Sequence, residues 1–183
     1  MKHIKKGGNT RHRPFGRYLF ILNMRRKDRE ITEQNEIIKI ITECQVLNLG
    51  LANDNDSYVV PVNFAFELVG DKKLFYFHSA KAGKKIAMIE KNNHCSFVLY
   101  NDLGVVLKKE RNSATNYYRC VMGKGKIREI KELSQKRHAA EKLLVKYKCE
   151  TELTLSDEAL DNTYIAEIVV EEMTAKANQG VKK

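Results

Sequence analysis

A chain of 183 residues is long enough for one domain with a sizeable core and leaves little room for a second. Hydrophobic residues at 43%, with only two prolines, exclude wholesale disorder and a long flexible linker. The net charge of +10 is unevenly spread: residues 1–29 hold ten of the 33 basic residues against one acid, Asp28, which leaves 23 basic and 22 acidic residues in the remainder.

The folded body is therefore nearly neutral, and the basic balance belongs to an N-terminal arm, residues 1–23, that reads as a solvated tail. Nucleic acid is not an expected partner, although a basic arm can bind phosphates non-specifically. The apolar run Tyr18 to Leu22 is too short for a secretory signal and no small-residue cleavage site follows. No stretch approaches the length needed to cross a bilayer, so a soluble, cytoplasmic protein is expected. Cys44, Cys95, Cys120 and Cys149 are scattered, with no paired spacing and no histidine at zinc-ligand distance; they read as ordinary thiols in a reducing compartment, and no metal site is expected.

In chain order, Thr32 reads as an N-cap before a helix whose apolar face is Ile37, Ile38, Ile40 and Ile41, ending near Cys44. Val46 to Leu51 alternates as a strand, Asn53 to Ser57 is a dense turn signal, and Tyr58 to Val69 reads as the second strand of a hairpin. Gly70-Asp71-Lys72 turns into an aromatic strand, Leu74 to His78. Ala82 to Lys91 is a short helix with Ile86 and Ile89 inward, and Cys95 to Tyr100 is a fourth strand. Asn101 to Gly104 opens a less defined stretch. Asn116 to Ile130 is a long strand in which Gly123 and Gly125 suggest a bend or bulge.

Ser134 caps an amphipathic helix ending near Tyr147, a helical turn covers Ser156 to Leu160, and a last strand runs from Thr163 to Glu172. Residues 24–174 then form one domain, with residues 175–183 as a frayed tail. Six strands, mostly hairpin-linked, with helices at the start, middle and end, define an α+β domain around an antiparallel sheet, and closure into a barrel is a natural way to remove its edges.

Two segments carry chemistry. In Leu74-Phe-Tyr-Phe-His-Ser-Ala-Lys-Ala-Gly-Lys-Lys-Ile86 a strand ends in His78-Ser79 and enters a helix at Gly83-Lys84-Lys85. Free N–H groups at a helix start, flanked by a hydroxyl and two lysines, suit a phosphate; a capped surface helix with solvated lysines is the plain alternative. In Tyr58-Val-Val-Pro-Val-Asn-Phe-Ala-Phe66 a proline within a strand demands an edge, a bulge or a backbone open to a ligand. A flat ring lying there would take hydrogen bonds from the strand and from Asn63. His3 and His12 read as idle, and His94 and His138 as surface or satisfied positions. Gly123-Lys-Gly125 reads as bend geometry.

These two segments, in this order and preceded by Met24-Arg-Arg-Lys-Asp-Arg-Glu-Ile31, strongly resemble the 5-nitroimidazole resistance (Nim) branch of the pyridoxamine 5'-phosphate oxidase-like flavoproteins. The resemblance covers roughly Met24 to Glu172 and extends more weakly to Tyr118-Arg-Cys-Val-Met-Gly-Lys-Gly-Lys-Ile127. It implies an FMN-binding split β-barrel working as a homodimer, with flavin at the subunit interface. Val60, Pro61, Val62 and Asn63 would line the isoalloxazine. His78, Ser79, Lys84 and Lys85 would surround the ribityl phosphate or its approach, and His78 would also be the catalytic or ligand-facing group. Cys120 stands where a serine facing the partner's flavin is expected. The implied activity is an FMN-dependent, nitroreductase-like oxidoreduction of a small molecule. The alternative is a non-catalytic split barrel that binds flavin, deazaflavin or haem.

Overall fold

A computed structural model describes residues 24–148 and 155–179. The N-terminal arm, Cys149 and the last four residues lie outside the described residues. The elements in order are β1 (Glu30–Ile31), α1 (Gln34–Glu43), β2 (Leu47–Asn53), β3 (Asp56–Val62), β4 (Ala65–Val69), β5 (Lys72–Ser79), α2 (Lys84–Lys91), β6 (His94–Lys108), β7 (Ser113–Glu129), α3 (Leu133–Lys146), α4 (Asp157–Asp161) and β8 (Tyr164–Asn178). The strands form one antiparallel sheet in the order β3-β2-β6-β7-β8-β5-β4, with β1 added against β8.

That order explains the shape. β3 and β4 stand at opposite ends of the sheet, yet only Asn63 and Phe64 separate them in the chain. The three steps from Val62 to Ala65 span at most about 11 Å, so the sheet must curl until its ends meet. The result is a barrel left open along one seam, where β3 pairs with β2 alone. Pro61 therefore sits on an edge strand, where a missing N–H costs least. The crossing is pinned from outside: the Phe64 N–H donates to the Tyr147 hydroxyl at 3.0 Å, and that hydroxyl donates to the Gln45 carbonyl at 2.6 Å.

Two cores follow from strand alternation. Inside the barrel, Leu47, Leu49, Phe64, Phe77, Leu99 and Val121 pack around Phe75, whose ring lies 5.0 Å from both Phe66 and Phe97. On the other face of β5, Leu74 and Tyr76 are covered by Ala139, Ala140 and Leu143 of α3, with Leu160 of α4. β5 is thus buried on both sides, which accounts for its unbroken apolar run.

Several expectations are corrected. The sheet has eight strands, not six: Tyr58 to Val69 is two strands broken at Asn63-Phe64, and the short β1 (Glu30–Ile31) was not anticipated. The undefined stretch after Asn101 is strand as well: β6 and β7 continue as one hairpin, with a bulge between Asp102 and Gly104. Residues 175–178 are not frayed; they are the end of β8, held between β1 and β7, and Ala175 is buried. Neither Thr32 nor Ser134 is an N-cap: Glu33 and Glu132 hold those positions, without a side-chain hydrogen bond. Ser156 does cap α4, accepting from the Ala159 N–H. The expected bend in β7 is a register shift between Lys124 and Gly125.

Candidate functional site at the barrel seam

The seam is bordered by the free edge of β3 and by the end of β5 where it runs into α2. On the β3 side, alternation turns Val62 into the core and leaves Val60 half-buried, while Pro61 and Asn63 are exposed. The four residues therefore share a backbone edge rather than a common side-chain face. On the β5 side, His78 pairs with Ile165 and Ser79 with Tyr164. His78 is exposed on the face that carries Leu74 and Tyr76, towards α3, and Ser79 lies on the Phe75 and Phe77 face.

The turn into α2 is built for an uncapped helix start. Gly83 adopts φ +124°, a conformation L side chains rarely take. It serves as the N-cap with no side-chain hydrogen bond, so the first-turn N–H donors have no partner from a capping side chain. Lys84 reaches back across the seam, its ammonium 3.2 Å from Asp56 Oδ1 and 5.3 Å from the centre of the Tyr58 ring. Both ends of that ion pair are more than half exposed, so it is a weak, exchangeable contact. Lys85 is half-buried over the Phe77 ring at 5.7 Å, and burial pulls its ammonium below the usual lysine range.

Beyond these residues, His78 and Asn63 line one chamber of about 330 Å³, roofed by α3 and α4. The predicted set is thus partly assembled. Asn63 and His78 meet at the chamber, Lys84 and Lys85 gather at the helix start, and Val62 belongs to the core. Cys120 is buried within the chain, with its thiol pushed up by burial. His138 is exposed and bonded to Glu67 at 2.8 Å, a satisfied surface position. Sequence reading missed Asp56 and Tyr58, which face Lys84, and the chamber wall on α3 and α4. The amphipathic helix ending near Tyr147 was legible, but the face it covers was not.

The chain matches the family model for pyridoxamine 5'-phosphate oxidase over residues 33–177, and it belongs to that family. Among solved structures it is similar to a protein of Bacteroides thetaiotaomicron named for a proposed role in 5-nitroimidazole antibiotic resistance. The two are 28% identical, with 81% of this chain and 86% of that one covered at a TM-score of 0.70. It also resembles the flavocytochrome Anf3 of Azotobacter vinelandii, at 18% identity, 82% and 70% coverage and a TM-score of 0.68. A FAD- and haem-binding protein of Mycobacterium smegmatis matches at 15% identity, 83% and 74% coverage and a TM-score of 0.69. These likenesses identify the fold as the split β-barrel. No curated protein matches the chain. No helix among the described residues is long and apolar enough to cross a membrane.

Proposed function

We propose that this chain binds FMN along the seam and works as a homodimeric flavin-dependent oxidoreductase of small molecules, nitro-aromatic compounds among them. The observation that carries the reading is that the seam joins an uncapped, lysine-flanked helix start to a chamber holding Asn63 and His78, beside an unpaired strand edge. These parts fit a flavin mononucleotide. The first-turn N–H groups of α2, Lys84, Lys85 and Ser79 would hold its phosphate. The backbone of Val60 to Asn63 offers donors and acceptors to a flat ring. Bound flavin supplies electron transfer. The protein's part is to orient it, keep water from the ring through the apolar chamber wall, and move a proton at the His78 imidazole, which makes no hydrogen bond to another described residue.

Support for a second copy comes from the outer face of β3-β2-β6-β7, where Val59, Val98 and Tyr100 are exposed. The stripe continues onto the free end of the β6–β7 hairpin. Asn116, paired with Val105, donates to the Tyr100 hydroxyl at 3.1 Å, so Val105 and Leu107 lie on the same face. They are 66% and 69% exposed, on a two-stranded ribbon of a kind that is marginal in water by itself. A partner covering this face removes that cost.

The reading is tested on one preparation of His78→Ala. FMN should stay bound while turnover of a nitro compound, with a nicotinamide as reductant, falls by on the order of 100-fold per bound flavin. Activity falling only in proportion to bound flavin removes His78 from the chemistry.

A further inference from the structure

We propose that the acidic turn between β2 and β3, through Asp54 and Asp56, restricts the seam to a flavin mononucleotide and turns away a flavin dinucleotide. This role rests on the flavin reading and names the cofactor class that the site accepts.

β3 runs lengthwise along the site. Its end, Val60 to Val62 with Asn63 just beyond, is the edge proposed for the ring. Lys84 meets the same strand further back, 3.2 Å from Asp56 and 5.3 Å from the centre of the Tyr58 ring. From Val62 back to Asp56 the strand covers about 20 Å. A phosphate held by Lys84 and the first turn of α2 therefore lies on the side of the β2–β3 turn. Any group attached beyond that phosphate enters the recess between the turn and α2. The recess, of about 570 Å³, is lined by Asp54, Asp56, Lys84 and Lys91 among others.

The acidic turn is fixed in this position. The side-chain amide of Asn53 donates to the Met88 carbonyl at 3.1 Å, and that of Asn92 donates to the Ala52 carbonyl at 2.8 Å. The hairpin is thus tied to α2, and its carboxylates cannot swing clear without breaking these bonds. A phosphate monoester carries about two negative charges near pH 7, and a mononucleotide concentrates them at Lys84, Lys85 and the helix start. A dinucleotide spreads a similar charge over two phosphates and must place the second beyond Lys84. Once Lys84 leaves Asp56 for the first phosphate, Lys91 is the remaining cation among the described lining residues, against two carboxylates. Like charges brought together there oppose the second phosphate and not the first, which is how a site selects by repulsion.

The test titrates FMN and FAD separately into the full chain by calorimetry. FMN should bind more tightly than FAD. Asp54→Asn combined with Asp56→Asn removes both charges and keeps the size of the side chains. Asparagine also tolerates the left-handed backbone of position 54, where φ is +45°. The double variant should tighten FAD by about ten-fold and FMN by no more than about three-fold, the scale of a few exposed charge contacts. High salt should shrink the difference. Asp71→Asn, in the turn at the opposite end of β5 from Ser79, removes a charge of the same kind and should change neither affinity. An unsubstituted chain that binds FAD as tightly as FMN overturns the proposal and leaves the flavin reading standing. So does a double variant in which the ratio of the two affinities is unchanged. A chain that binds neither flavin overturns both.

Discussion

Lys84 shows how far a single side chain can be read in advance. Two lysines after a glycine at a strand-to-helix turn pointed to an anion site, and α2 does begin there without a side-chain cap. The Asp56 partner was not legible, because it lies 28 residues away on a separate hairpin. That exposed pair must open for Lys84 to meet a phosphate, which costs little. Lys84→Ala should weaken FMN binding by about 10- to 100-fold, the loss of one charge-assisted contact, and leave thermal unfolding unchanged. Lys81→Ala, earlier in the turn, should do less. Flavin fluorescence quenching measures both; equal small effects would return Lys84 to the solvated surface. Gly123 was read as a bend, and a steric reason stands beside it. A Cβ there would sit 2.4 Å from the Glu172 carbonyl oxygen and 2.5 Å from the Phe97 ring, a closeness visible only once β6 and β8 flank β7.

Among the elements, α3 has the best-defined docking. Glu67 of β4 receives hydrogen bonds from Tyr76 at 2.9 Å, His138 at 2.8 Å and Lys142 at 2.6 Å. Burial by itself would raise the Glu67 carboxyl, but these hydrogen bonds outweigh it and hold it at about 2, below its ordinary 4.5. A carboxyl depressed by folding stabilises the fold above its ordinary range, and that stability is lost as pH falls towards the depressed value. Glu67→Gln should therefore lower the unfolding temperature near neutral pH and flatten its decline between about pH 5 and pH 3. Thermal scans across that range check it; parallel curves for the two proteins would show that Glu67 does not anchor α3. The helix was legible from its periodicity, whereas this anchor, 71 residues distant in the case of His138, was not. The break at Asn63-Phe64 was equally hidden. Tyr58 to Val69 alternates well enough for one strand, and only the far ends of the curled sheet require two. The β6–β7 ribbon was missed because Asn101-Asp102-Leu103-Gly104 reads as the start of a less defined stretch, while in the fold it holds a bulge within a ladder.

At the scale of the whole molecule, the antiparallel class was readable from strand patterning. The barrel and its seam came from the order of two motifs that resemble a known family. Phe64 and Phe97 are buried within the single chain, so neither needs a second copy to cover it. The exposed apolar surface is the outer stripe from Val59 to Leu107, the face proposed for a second copy. Val105→Asp together with Leu107→Asp should convert a dimer to monomers, seen by sedimentation, with each chain still folded by circular dichroism. A wild-type chain that sediments as a monomer while saturated with FMN would remove the shared-interface model.

The proposed activity depends on the seam holding FMN. It is tested most directly by mixing the purified full chain with FMN, desalting it, and recording its visible absorption. The protein should retain the spectrum of bound oxidised flavin, about one flavin per chain, and bleach on anaerobic reduction. A colourless protein after desalting, or the intense single band of a haem in place of the flavin spectrum, would contradict it.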